Sequence, residues 1–310
     1  MFFSPPPPPK PPLVTVYIHG TRPEKNLPAS ISQYATKIYA ILSGNLTGLY
    51  KITEPNLPYY PVLRAQALCE IDPKRFNSEH FYLFGWSGKL SLEARKDASL
   101  ELYIALKALS FDYEKIYNTT PKFILISHSH GGNVILHLAE TTDSTDSTDS
   151  DKYKLKIKKA ILLACPVQKH TSHLIDSDIF KRIYSIHSHA DVVQVIDPQG
   201  LHNIRKITSP FLSERHFNPQ PNVIQAQVKW KKYPLWTAQD YAIKDIAIQK
   251  LIKSINYLNF FKKGRNLLHI EFDLLPFVRQ LPSIINTLDE CFDNNSACPT
   301  HKGDDVIIGL

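Results

Sequence analysis

Glycine is scarce in this chain, 11 among 310 residues, about half the usual share of ~7%. In such a chain a retained glycine marks a sharp turn or a close approach of backbone, so each is worth reading. Long apolar runs are also lacking, and none approaches the ~18 residues that a membrane-crossing helix needs. The opening "MFFSPPPPPKPPL" has neither the apolar stretch nor the small-residue cleavage site of a secretory leader, which sets a cytoplasmic expectation. Cysteine is limited to Cys69, Cys165, Cys291 and Cys298, without a C-x-x-C pair. That excludes a zinc knuckle, a thioredoxin-like motif and a dense disulfide framework, and predicts reduced, mostly buried thiols.

The apolar share is 43%, sufficient for a sizeable core. The prolines at 5 to 9 read as an extended polyproline II tail over residues 1–12. No linker divides the remainder, so a single domain is expected over 13–295, with 296–310 as a C-terminal tail that includes His301. Net charge is +7, and the basic clusters "KYKLKIKK" (152–159), "KWKKY" (229–233) and "FKKGR" (261–265) read as solvated faces. Their alternative use is peripheral contact with an anionic membrane surface; nucleic acid is not an expected partner.

Short runs of β-branched and aromatic residues alternate with segments of helical period, the pattern of βαβ units and a doubly wound, mostly parallel α/β sheet. "LVTVYIHG" (13–20) predicts a buried strand ending at a glycine, and "SISQYATKIYAIL" (30–42) the helix after it. "HFYLFGWSG" (80–88) predicts a strand, followed by a helix over 91–109 with Ser91 as N-cap and Ala98, Leu102, Ala105 and Leu109 on its inner face. Further strands are predicted at 158–166 and 182–190, and helices at 240–258 and 277–292. The repeat "TDSTDSTDS" (142–150) reads as a mobile polar loop.

The informative stretch is "KFILISHSHGGNVIL" (122–136). An apolar strand, a tight turn on Ser129 and a helix opening on Gly131 and Gly132 form the context of a nucleophile elbow, in which the serine is lifted above the sheet edge by a strained backbone. Residues two places before and after the serine crowd each other in that turn, which calls for small side chains at Ser127 and Gly131.

"SHSHGGN" thus resembles the nucleophile turn of the α/β-hydrolase superfamily, in particular its lipase and esterase branch. "YIHGTR" (17–22) resembles the oxyanion strand with its His-Gly pair, and "FGWSGKLSLEAR" (84–95) resembles a Trp-x-Gly to Arg stretch of lipase-like members. The resemblance implies an α/β-hydrolase fold and a triad in the chain order Ser, Asp, His. Ser129 would be the nucleophile and Asp191, at a strand end, the acid, with Asp197 as substitute. His269 would be the base, with His202 and His216 in reserve. The implied oxyanion donors are the backbone N–H groups of Thr21 and His130, with His19, Gly20 and Gly131 in support. No cofactor is implied.

Two other readings stand beside this one. "HSHAD" (187–191) matches the start of an H-x-H-x-D-H metal-ligand run, as in metallo-β-lactamase-like hydrolases, but Val192 occupies the last position. A chain of the same fold without activity would instead serve as a binding scaffold. For an active enzyme, the stretches 44–68 and 201–236, which mix aromatics and prolines with polar residues, are candidate lid or acyl-pocket segments, and a lipid or other acyl ester is the expected substrate.

Overall fold

β-Branched and aromatic side chains dominate Leu13–Ile18, and this stretch forms β1, the strand around which the sheet is laid. The computed structural model describes residues 12–22, 40–145, 154–189, 191, 216–230, 265–267, 269–294, 301–302 and 305–310. Within them, β2 (Gly48–Lys51), β3 (Phe81–Gly85), β4 (Lys122–His128), β5 (Ile157–Leu163), β6 (Ile183–His187), β7 (Val223–Trp230), β8 (Arg265–Asn266), β9 (His301–Lys302) and β10 (Asp305–Gly309) complete a ten-stranded sheet. Its order is β2-β3-β1-β4-β5-β6-β7-β10-β9, with β8 paired to β7. The strands from β3 across to β10 run parallel, and β2, β8 and β9 are antiparallel to their neighbours.

Period-two alternation sends successive side chains to opposite faces, and each face has its own core. Val14, Val16, Ile18 and Leu125 pack beneath α2 (Leu92–Tyr117) and α3 (Gly131–Thr145). Tyr17, Ile124, Ile126 and Leu163 pack beneath α1 (Tyr59–Ile71), α4 (Leu275–Val278) and α5 (Leu281–Asp293). The result is a doubly wound, mostly parallel sheet with helices on both sides, an architecture consistent with an α/β-hydrolase fold.

Ser91 caps α2, accepting from the Ala94 N–H at 3.0 Å, and the helix continues past the expected end to Asn118, whose φ of 52° closes it. The inner stripe drifts accordingly: Ala98, Leu102, Leu106 and Tyr113 are buried, whereas Ala105 and Leu109 are only partly so. The closing helix is interrupted and appears as α4 and α5, with Pro276 and Pro282 in their first turns. The helix expected at 30–42 falls mostly, and that at 240–258 wholly, outside the described residues.

Several expectations are corrected. The candidate lid 44–68 contains β2 and most of α1, and the candidate lid 201–236 contains β7, a strand in the middle of the parallel array. In "VIQAQVKW" the glutamines and lysine hide a strand whose Ala226, Val228 and Trp230 are buried. Residues 305–309, expected as part of a tail, form β10 beside β7 with Val306 in the core. The polar repeat begins inside α3, where Thr142 is buried because its hydroxyl returns to the Leu138 carbonyl at 2.7 Å. Lys159 belongs to no solvated face: it is buried on β5, with Nζ 2.5 Å from each Asp289 oxygen. Cys69 and Cys165 are reduced thiols, as expected, but Cys291 is disulfide-bonded. Among the described residues no helix is long and apolar enough to cross a membrane.

Candidate active site

The carboxyl ends of parallel strands are where open α/β sheets carry their sites, and the predicted residues gather there. β4 ends at His128, and Ser129 follows with φ 53°, in the left-handed region that a serine enters only under strain. Two bonds hold it: the Ser129 N–H donates to the Leu163 carbonyl at 2.8 Å, and the Gly132 N–H to the Ser129 carbonyl at 2.9 Å. α3 begins at Gly131, so the positive end of a helix dipole borders the serine.

Both glycines after the serine are explained by proximity. A Cβ on Gly131 would lie 2.6 Å from the His19 carbonyl oxygen and 2.9 Å from that of Ile18. A Cβ on Gly132 would lie 2.4 Å from Cys165 Sγ and 3.4 Å from Ser127 Oγ. The tightest contacts of Gly131 are thus with the end of β1, and those of Gly132 with Cys165. Gly20 completes the contact from the other side, since a Cβ there would meet Ser129 Cβ at 2.8 Å.

His19 and the segment after it are clamped by Trp86. The indole N–H donates to the His19 carbonyl at 2.8 Å, the Trp86 backbone N–H donates to His19 Nε2 at 3.1 Å, and the two rings stack. His19 Nδ1–H donates to the Gly20 carbonyl at 2.7 Å. Burial, opposed by that bond, brings the His19 pKa down to about 4, so the ring is neutral and its tautomer is fixed. Gly88 then turns with φ 67°, its carbonyl accepting the Arg22 N–H at 2.8 Å. The sequence signal "FGWSG" had this physical meaning: it fastens the stretch that contains Thr21.

His130 is buried, its Nδ1 facing Arg95 Nη1 at 3.4 Å and Asn133 Nδ2 at 3.3 Å. Asn133 also donates to the Pro166 carbonyl at 3.1 Å and accepts from Thr171 at 2.6 Å. His130 is thereby fixed by its side chain, and its backbone stays at the helix entrance.

Asp191 and His269, 78 positions apart, meet: His269 Nδ1–H donates to Asp191 Oδ2 at 2.7 Å, with Asp191 wholly buried and His269 nearly so. Burial lowers the His269 pKa, outweighing the Asp191 bond that raises it, and nearby His128 adds to the lowering. The His269 ring lies against that of His128, the residue directly before Ser129, with centroids 4.6 Å apart. Among the described residues no hydrogen bond joins the Ser129 hydroxyl to His269. His216, a reserve base, packs edge-on against His187 at 4.7 Å; Asp197 and His202 lie outside the described residues.

Sequence reasoning missed Asp273, Arg64 and Tyr17. Asp273 accepts from the Tyr17 hydroxyl at 2.6 Å, pairs with Arg64 and faces His128 Nδ1 at 3.1 Å. Only Asp273, four residues after His269, offered a spacing that could have drawn notice. As for a metal centre, His128 and His130 serve separate partners, and among the described residues no three His, Cys, Asp or Glu side chains are placed to hold a metal ion.

No protein-family model matches the chain, and no curated protein matches it. Among solved structures it is similar to an esterase from Pyrobaculum calidifontis, at 11% identity and TM-score 0.37, covering 94% of this chain and 79% of the other. It is also similar to the phospholipase PlaB from Legionella pneumophila, solved in complex with thio-NAD, at 11% identity and TM-score 0.30 over 71% of this chain. The chain spans 38% of the length of that phospholipase.

Proposed function

We propose that the protein is a serine hydrolase of carboxylic esters, with Ser129 as nucleophile, His269 as general base and Asp191 as its orienting acid. The observation that carries this reading is the buried Asp191–His269 bond of 2.7 Å beside a serine at φ 53°. Because His269 Nδ1 is committed to Asp191, its proton-accepting nitrogen is Nε2, and a depressed pKa keeps that nitrogen unprotonated at neutral pH.

Ser129 Oγ attacks the ester carbonyl carbon while its proton passes to His269 Nε2. The tetrahedral oxyanion is met by the N–H groups of His130 and Thr21, and its collapse expels the alcohol, which takes the proton from His269. Water then attacks the acyl-enzyme by the same route, and the carboxylic acid leaves. Asp191 stabilises the transient imidazolium in each half. The substrate class proposed is a lipid or other acyl ester. Of the two stretches read as an acyl pocket, 44–68 is now assigned to the sheet and its cover, as is 223–230.

The test is covalent labelling with a fluorophosphonate probe, which reacts with activated serines. Wild type should label, with or without prior EDTA, and Ser129→Ala should not. A well-folded wild type that fails to label refutes the activated serine and favours the binding scaffold or a metal-dependent hydrolase, which metal analysis and EDTA-sensitive hydrolysis then separate.

A further inference from the structure

Two buried ionisable residues at the site have no part in that reaction: His128, immediately before the nucleophile, and Asp273, at the end of the short helical turn His269–Asp273. His128 Nε2–H donates to the backbone carbonyl of His269 at 3.0 Å, and Nδ1 lies 3.1 Å from Asp273 Oδ2, within ion-pair distance but without the alignment of a hydrogen bond. A carbonyl and a carboxylate only accept. With Nε2 protonated for the carbonyl, a neutral ring would set the Nδ1 lone pair 3.1 Å from a carboxylate oxygen, whereas a ring protonated on both nitrogens sets a cation there.

The surroundings keep Asp273 ionised to face that cation. Burial alone would raise its pKa, but Arg64 and then His128 outweigh it and hold the carboxyl well below the usual range. Arg64 is itself anchored, donating to the Leu42 carbonyl at 2.7 Å. Tyr17, whose pKa burial raises, stays neutral and donates to Asp273. The other ionisable groups around the pair are Asp191 after β6, neutral His19 after β1, Tyr60 of α1 under Arg64, and buried Glu271 on the same turn as Asp273. Two cations thus share one carboxylate. For His128 the balance runs in the same direction: burial lowers its pKa, yet Asp273 and the His269 carbonyl together raise it above the ordinary value.

We propose that His128 is a standing imidazolium that positions His269, tying the 269–273 turn to the nucleophile turn and holding a positive charge against the base. The proposal rests on the reading of His269 as that base. Its chemical consequence follows from the 4.6 Å separation of the rings: a fixed cation at that distance opposes a second proton on His269, so the free base persists to lower pH. His128 touches no reacting atom, and its effect passes through the His269 backbone and ring.

The experiment compares wild type, His128→Gln and His128→Phe for fluorophosphonate labelling rate across the acidic to neutral range, alongside ring-nitrogen NMR of histidine-labelled wild type. Glutamine keeps an N–H for the His269 carbonyl and removes the charge; phenylalanine keeps a ring and removes both. With His128→Gln the acid limb should move to higher pH and the plateau fall less than about tenfold. With His128→Phe the plateau should fall on the order of 10²-fold, the usual effect of a small misplacement of a catalytic group. In wild type both His128 nitrogens should remain protonated at neutral pH. An unprotonated His128 nitrogen at neutral pH, or variants with the wild-type limb and plateau, overturns the proposal. If wild type fails to label, the hydrolase reading falls by itself, and the NMR still decides whether the charged clamp exists.

Discussion

Replacing Gly131 by alanine probes the contact between the turn after Ser129 and the end of β1. The added Cβ would stand 2.6 Å from the His19 carbonyl oxygen and 2.9 Å from that of Ile18, where ordinary contact begins at 3.4 Å. Both neighbours are backbone atoms at the end of β1, so no side chain can swing aside. Relief requires that end and the first turn of α3 to separate by several tenths of an ångström. Overpacking of this kind costs about 1–3 kcal/mol, which for a chain of this size lowers Tm by roughly 2–6 °C. The same displacement carries the 19–21 segment away from Ser129. A misplacement approaching 1 Å costs about 10²-fold in rate, equivalent to ~2.7 kcal/mol of barrier. Steady-state hydrolysis of a short-chain ester, with thermal unfolding followed by circular dichroism, reads both effects. The expectation is a large fall in kcat, little change in KM and a modest fall in Tm. Unchanged Tm and kcat would refute the close approach. A lower Tm with wild-type kcat would show that it serves packing alone.

Three further outcomes are expected. Asp191→Asn keeps the shape of a fully buried side chain but supports the wrong His269 tautomer, so kcat should fall about 10⁴-fold at nearly constant KM; a loss under about tenfold would remove Asp191 from its role. His128 binds its second proton more tightly folded than unfolded, so its stabilisation is complete below its unfolded pKa of ~6.5 and is lost as pH rises through the folded value. The Tm gap between wild type and His128→Gln should therefore narrow with rising pH, and a widening gap refutes the sign. Asp289→Asn leaves Lys159, its side chain 8% exposed, without its carboxylate, and urea unfolding should show a loss of about 3 kcal/mol, the low end for a buried pair because Asp289 is itself partly exposed. Burial would raise the Asp289 pKa, but Lys159 and Tyr184 hold it below normal. Its contribution should accordingly vanish as pH falls through that depressed value.

Local pattern made most of the parallel sheet legible. β1, β3, β4, β5 and β6 are apolar runs that end at turn signals, and Ser91 announced the start of α2. β7 and β10 escaped notice for different reasons. β7 alternates buried with polar residues, so its apolar content resembles that of a loop, and β10 is a five-residue segment held by pairing to β7 and β9. β2 and α1 were obscured by the prolines and aromatics of 44–68, and α1 carries its charge inward: Arg64 is buried because Asp273, more than two hundred residues later, receives it.

The sequence alone determined the strand-turn-helix around Ser129, because strand, small residues and helix lie within one contiguous segment and their steric demands are local. It also singled out Asp191 and His269, by their places after apolar runs and by family resemblance. Only the tertiary structure decided that these two meet, that Gly131 lies against the end of β1, and that His128 stands between the His269 carbonyl and the Asp273 carboxylate. Each of those facts depends on atoms far apart along the chain and brought together by the sheet. Periodicity reports which face a residue takes, and carries no information about what waits there.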